Sequence, residues 1–475
     1  AARLSAATIS FDELAPIGAP GTIISERPLG VLGIQRVEFA NGTRALLWSN
    51  AAEPGRVSVR MRFGAGFRAF DEGDAAYIAL GESALVGSGQ GVLGQEELDR
   101  ITTGRVMGFN LDITDSTFAF TAQTRGADLA DQLYLFANKI SDPRWDPNPV
   151  IRSLAAQRLT YAGLATNPGG VLQRDLDYYI ANEDGRYKTP DLADLNAATP
   201  QGFRKVWAPL LDQGDIEIII FGEFDYAKTV EALRNTIGAL PPRKPIPDAV
   251  LARVPQFPAA DSDVVVRKHR GDANQAAAIV AWPTGGGVAG LPQSRQLEIL
   301  AALFNNRLID AMRERAGASY SPQVGTRWPV DISAGGRITA LAQVKPEDVP
   351  VFFAAADSIA QDMANNPPSA DELERATEPL KQLINRASTG NQFWLYQIEG
   401  SSVDPRRLYT LRTLATDYSV TTPEQMQALA KRYLASRPGW QMAIIPEGQE
   451  LATQPRDIPT SPSPVRAAPI VQDGR

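Results

Sequence analysis

The 475-residue chain predicts an α+β fold built from two homologous α/β-layer domains, one design used twice. Three observations predict it. A proline-rich stretch from Pro241 to Ser262, PPRKPIPDAVLARVPQFPAADS, divides the chain almost in half, and its prolines fit neither a helix interior nor a central strand. On each side the apolar pattern runs in the same order of strand, helix, strands, several helices and a final strand. That order argues for helices layered on a sheet in each part, with little residue identity between the two.

Residues 1–29 read as a polar connecting segment that begins AARLSAATISFDELAPIG, and the start is expected to be a cut within, or an omission from, something longer. The first domain, 30–240, opens on IQRVEFANGTRALLWSN, a hairpin whose Asn41-Gly42 supplies the positive dihedrals of a tight turn, followed by the alternating strand RVSVRMRFGAG. Helical patterns follow from Ala75 to Val86 and Gln95 to Thr102, then two strands within Val106 to Gln123. Longer helices cover Leu129 to Lys139, Asn148 to Leu164 and the region after Pro200. The domain closes with IEIIIFG, Ile216 to Gly222, a buried strand, and a helix from Tyr226 to Ile237. The linker occupies 241–262.

The second domain, 263–446, has the strand AAAIVAWPTGG, a helix from Ser294 to Arg315, and strands near Ser319 to Trp328 and Gly335 to Val344. Helices over Val349 to Ala364 and Asp371 to Ala387 precede the closing strand WQMAIIPE. From 447 to 475 prolines recur among polar residues with no apolar period, which reads as a surface strap or a disordered tail.

Composition removes several function classes. The chain is 44% apolar, enough to bury substantial cores, and its net charge of −7 comes from interspersed acids and bases with no basic patch, so no nucleic acid partner is expected. No apolar run approaches the roughly 20 residues that span a bilayer. There is no cysteine and one histidine, His269, so two-histidine or thiolate-rich zinc sites cannot be built from this chain. His269, in VVVRKHRGD, is expected to be a solvated residue at a strand end. The glycine-rich VGSGQGVLGQEELD lacks the lysine and the preceding strand that a phosphate loop needs.

The most informative segment is RLIDAMRERAGASYS, Arg307 to Ser321. Leu308, Ile309 and Met312 recur at helical spacing on one face, Glu314 and Arg315 occupy the other, and Gly317 stands where a helix needs left-handed backbone. The helix therefore ends near Ala316, with Arg313 on its last turn and Tyr320 across the turn, so that both can point into one space. Read as R-L-x-x-x-x-R-E-x-x-G-x-x-Y-S, the segment resembles the signature in the second half of pitrilysin/insulysin-type metallopeptidases, the family with the inverted zinc motif H-x-x-E-H. The resemblance extends over nearly all of residues 30–446.

That resemblance implies a half of a clam-shell peptidase in which two homologous α/β domains close with a second half around a chamber. It places the zinc motif on Leu80-Gly81-Glu82-Ser83-Ala84, where neither Leu80 nor Ala84 can bind zinc and Glu82 is one position away from the general-base slot. The third ligand would be a glutamate roughly 70 residues downstream, yet no acidic residue lies between Asp146 and Asp175. The implied function is a metal-free C-terminal half, not catalytic alone, that closes over a homologous zinc-bearing half or subunit. Arg313 and Tyr320 would then bind the peptide substrate and stabilise the transition state in trans. No metal or cofactor is expected in this chain, zinc being on the partner. A non-catalytic structural or docking subunit of a larger assembly is the alternative. Zero cysteines is compatible with a bacterial periplasmic or otherwise extracytoplasmic location.

Overall fold

The structure is a computed structural model and describes residues 10–108, 110–316 and 321–453. The first unit runs β1 Ile23–Pro28, β2 Gln35–Phe39, β3 Arg44–Ser49, β4 Val57–Phe63, α1 Ala75–Leu80 with a π-helical turn Gly81–Val86, α2 Gln95–Ile101, β5 Asn110–Ile113 and β6 Phe118–Thr124. It continues with α3 Leu129–Ser141, α4 Pro147–Leu164, α5 Pro168–Ile180, α6 Leu192–Ala197, α7 Pro200–Leu211, β7 Glu217–Gly222 and α8 Tyr226–Asn235. A short helix, α9 Asp248–Leu251, interrupts the proline-rich connection, which is otherwise extended. The second unit holds β8 Val265–His269, β9 Ala276–Pro283, α10 Leu291–Ala316, β10 Gln323–Arg327 and β11 Arg337–Val344. After these come α11 Val349–Asn365, α12 Ala370–Ala387, α13 Asn391–Ile398, α14 Arg406–Arg412, α15 Leu414–Ser419, α16 Pro423–Tyr433 and β12 Trp440–Pro446. Among the described residues no helix is long and apolar enough to cross a membrane. The final residues of the proline-rich tail, 454–475, lie outside the described residues.

The duplication is explicit in the sheets. The first has the order β1-β2-β3-β7-β4-β6-β5 and the second β10-β11-β9-β12-β8. Reversed, the second order matches the last five strands of the first, and the senses agree. β3 and β7 are parallel, as are β8 and β12, and the remaining pairs are antiparallel. The β2–β3 hairpin turns at Asn41-Gly42, with Gly42 at φ +89, and the Asn41 amide donates to the carbonyls of Ile237 and Leu240 at 3.0 Å each, fastening the turn to the end of the first unit.

Each sheet packs its own helices on one face. In the first, Val59, Met61 and Phe63 of β4 meet Leu133 and Phe136 of α3 and Trp207 of α7, and the Trp207 indole donates to the Tyr77 carbonyl at 2.8 Å. In the second, Val280 and Trp282 of β9 pack with Leu303 and Phe304 of α10 and Phe352 of α11. The opposite faces are covered by exchange. Val171 and Ile180 of α5 pack on Ile279, Met442 and Ile444 of the second sheet. Leu395 and Ile398 of α13 pack on Leu46, Ile219 and Phe221 of the first. Central strands buried on both faces read as continuous apolar runs, as β7 and β9 do, and each fully buried aliphatic side chain contributes about 1.5–3 kcal/mol.

His269 departs from its expected exposure. It is 1% exposed, because β8 runs parallel to β12 at an edge that the chain then folds over. The Gly271 amide donates to Nδ1 at 3.0 Å, which leaves the proton on Nε2 to donate to the Gln275 carbonyl at 2.7 Å. The ring is a satisfied structural group at a turn.

Candidate functional site

α10 delivers Arg313. Leu308 and Met312 are fully buried and hold one face of the helix in the core, which turns Arg313 outward on the last turn. Its side chain is 68% exposed and its ion pair with Asp310, one helical turn back, is long at 3.8 Å. Such an exposed pair restrains a guanidinium weakly. Arg307 is held far more firmly. It meets Glu372 of α12 at 2.6 and 3.0 Å and Asp362 of α11 at 2.7 Å, and so locks α10 in its layer. The Val324 amide donates to Asn305 Oδ1 at 3.1 Å, fixing where the chain returns from the helix into β10. Tyr320 lies outside the described residues.

The segment from Leu80 to Ala84 spans the join between α1 and the π-helical turn. Leu80 and Ala84 are fully buried in the first core and Glu82 is exposed. The glycine-rich turn beyond it presents carbonyls, the reverse of an anion cradle. Buried Lys139 of α3 donates to the carbonyls of Leu85, Ser88 and Gly89 at 2.9, 2.6 and 3.2 Å, and burial pushes its pKa down to about 7.

A buried charge cluster between the units escaped the sequence reading. Arg62 of β4 donates to Glu217 of β7 at 3.1 Å and to Asp331, in the β10–β11 connection, at 2.8 Å. Arg407 of α14 also binds Asp331, and Ser116 donates to it at 2.9 Å. Glu217 further accepts from the Gly400 and Ser402 amides at 2.6 and 3.2 Å, and Arg60 binds Glu399. A readable signal existed. In Arg60-Met61-Arg62 two arginines share one face of a strand that must be central, and a buried guanidinium requires acids brought from elsewhere.

Residues 198–380 match the family model described as the peptidase M16 inactive domain. The matched stretch runs from the end of the first unit into α12 of the second, and over it the chain is similar to the M16 peptidase family. This is the family that the Arg307–Ser321 segment resembles. No curated protein matches the sequence. Among solved structures, the chain is similar to the periplasmic protease PqqL from Escherichia coli, with TM-score 0.73, 19% identity, and coverage of 90% of this chain and 47% of that one. It is also similar to the ferredoxin protease FusC, in a variant solved with Arabidopsis ferredoxin, with TM-score 0.70, 13% identity and coverage of 91% and 47%. A third likeness is to a peptidase M16 inactive domain from Pseudomonas fluorescens, with TM-score 0.69, 16% identity and coverage of 87% and 98%. At these identities the structures speak for the fold. The chain spans about half the length of PqqL and FusC and nearly the whole of the Pseudomonas M16 domain.

A zinc ion of the kind that the inverted motif holds does not fit the residues at 80–84 of this chain. The positions that would hold imidazoles are aliphatic and sealed in the core, and among the described residues no group of three or more histidines and carboxylates could hold a metal ion.

Proposed function

We propose that this chain is the metal-free C-terminal half of a two-part zinc peptidase, closing over a zinc-bearing homologous half and lending it Arg313 and Tyr320. The observation that carries the reading is Arg313: an exposed guanidinium on the last turn of a helix whose opposite face is buried, in a chain about half as long as PqqL. When a scissile carbonyl is attacked, negative charge develops on its oxygen. Donors aimed at that oxygen stabilise the transition state more than the ground state. The Tyr320 hydroxyl is a compact neutral donor for it. The Arg313 fork adds permanent charge and can also hold backbone carbonyls of an extended peptide. Its solvent-exposed contact with Asp310 competes little for that role. Zinc and its water belong to the partner half.

A compartment outside the cytoplasm fits the absence of cysteine and the periplasmic location in the PqqL description. The test is reconstitution with a homologous chain carrying H-x-x-E-H, read as complex formation by size exclusion and as peptide cleavage. Restored cleavage supports the reading. A monomer that never restores cleavage supports a docking subunit instead.

A further inference from the structure

A cavity of about 580 Å³ opens where α1 faces α4, and Arg327 and Arg337 from the second unit complete its lining. A smaller cavity of about 180 Å³ shares Asp177, Tyr187, Arg327 and Arg337 with it. On the apolar side, the rings of Phe67 and Tyr187 lie 4.9 Å apart at 32°, beside buried Ile78. On the other side, Arg327 and Arg337 are direct register partners of β10 and β11, so both guanidiniums emerge from one face of the sheet.

The counter-ions of these two arginines differ. Arg327 is bound to Asp115, whose carboxylate is 5% exposed and also accepts from Tyr187 Oη at 2.7 Å. Arg337 is paired with Asp177 of α5 at 2.9 Å, and that side chain is 65% exposed. Burial lowers the pKa of Arg337, the neighbouring Arg327 lowers it further, and Asp177 offsets this only in part. The other two cations of the lining are neutralised locally, Arg186 by Asp184 and Lys188 by Asp191 and Asp194. Arg337 is therefore the lining cation with a solvent-facing counter-ion and a like charge beside it. An incoming carboxylate can dock there against two guanidiniums, and forked hydrogen bonds between guanidinium and carboxylate are among the strongest available.

We infer that this cavity captures the C-terminal end of a peptide, with the terminal carboxylate on Arg337 and Arg327 and an apolar last side chain against Phe67 and Tyr187. An apolar recess with a few convergent polar groups is the usual form of such a pocket. The inference rests on the preceding reading only for the class of ligand. It does not need the partner half, because both walls come from this chain.

The experiment is fluorescence anisotropy with the intact chain and an N-terminally fluorescein-labelled Gly-Gly-Ser-Ala-Leu, as the free acid and as the C-terminal amide. The free acid is expected to bind at least tenfold tighter than the amide. Arg337→Gln is expected to weaken the acid at least tenfold. Thr160→Trp, which puts an indole into the lining and removes no charge, should weaken it too, while Arg375→Ala, at an exposed position of α12 outside the lining, binds normally. Equal binding of acid and amide, no binding of the acid, or full affinity in Thr160→Trp overturns the inference. None of these results depends on whether cleavage is restored by a zinc-bearing half, so the two readings fail separately.

Discussion

The Asp331 carboxylate lies 2.8 Å from the Arg62 guanidinium, although 269 positions separate the two residues. Its counterpart in the duplicated design is Asp115, in the β5–β6 connection, which reaches across to Arg327 of β10. Each unit thus sends a hairpin-end aspartate to an arginine on the other unit's sheet, beside the helix that it also lends. The ion pairs align the units and the exchanged helices supply apolar burial.

Arg62→Leu should test the first of these pairs. It leaves Glu217 and Asp331 without the guanidinium that both use, and breaking a buried pair from one side costs about 3–5 kcal/mol. Urea unfolding is expected to show that loss. Wild-type stability in Arg62→Leu would mean that the cluster contributes nothing net.

Acid should weaken the same junction. Burial works to raise the Asp331 pKa, but Arg62 and Arg407 outweigh it and hold the group below its ordinary value of 3.8. The unfolded chain therefore takes up this proton before the folded one does, and the contribution is lost as pH falls from about 5 through the folded value. Glu399 acts in the opposite direction. Burial, partly offset by Arg62 and Arg60, raises it above 4.5, so its contribution shrinks as pH rises through that region. Denaturant midpoints between pH 3 and 6 should fall less steeply with acid in Asp331→Asn than in wild type. An unchanged slope would exclude Asp331 as a source of the acid sensitivity.

The purified chain should hold no stoichiometric zinc and cleave no peptide. Leu80 and Ala84 offer no donor atoms, and their side chains are sealed in the first core. Metal analysis and a peptidase assay check this directly. One tightly bound zinc per chain, with chelator-sensitive cleavage, would end the accessory-half reading.

In a reconstituted enzyme, Tyr320→Phe keeps the ring and removes one donor. The expected outcome is intact assembly with turnover reduced roughly 10- to 1,000-fold, the range for losing a transition-state hydrogen bond. Arg313→Ala should raise KM as well, since its fork also contacts ground-state carbonyls. Normal turnover in both assembled variants would assign the pair to structure alone.

Much of the fold is legible in local pattern. The Asn41-Gly42 hairpin, the buried β7 and β9, the long α10 and the repeated element order all follow from backbone periodicity and turn chemistry. The helices that this pattern leaves unassigned include α5 and α13, the two that cross between units. α5 opens on Pro-Gly-Gly, whose glycines are poor helix formers, and α13 is eight residues long with a weak stripe of its own. At the site, helical phase is local: with Leu308 and Met312 on the buried face of the helix, Arg313 is left on its exposed side. His269 is buried against expectation, because nothing in VVVRKHRGD signals that β12 and the following turn enclose it.

By itself, the sequence determined most of the strands and the long helices, their duplicated order, and the shortage of imidazole and thiol ligands, since these depend on neighbouring residues or on composition. Tertiary structure alone decided that α5 and α13 change units, that Arg62 finds Asp331, and that α1 and α4 face a cavity closed by Arg327 and Arg337. Those facts are set by which surfaces dock after each unit forms. Burial of apolar faces drives that docking without regard to distance along the chain, so no short window of sequence encodes its outcome.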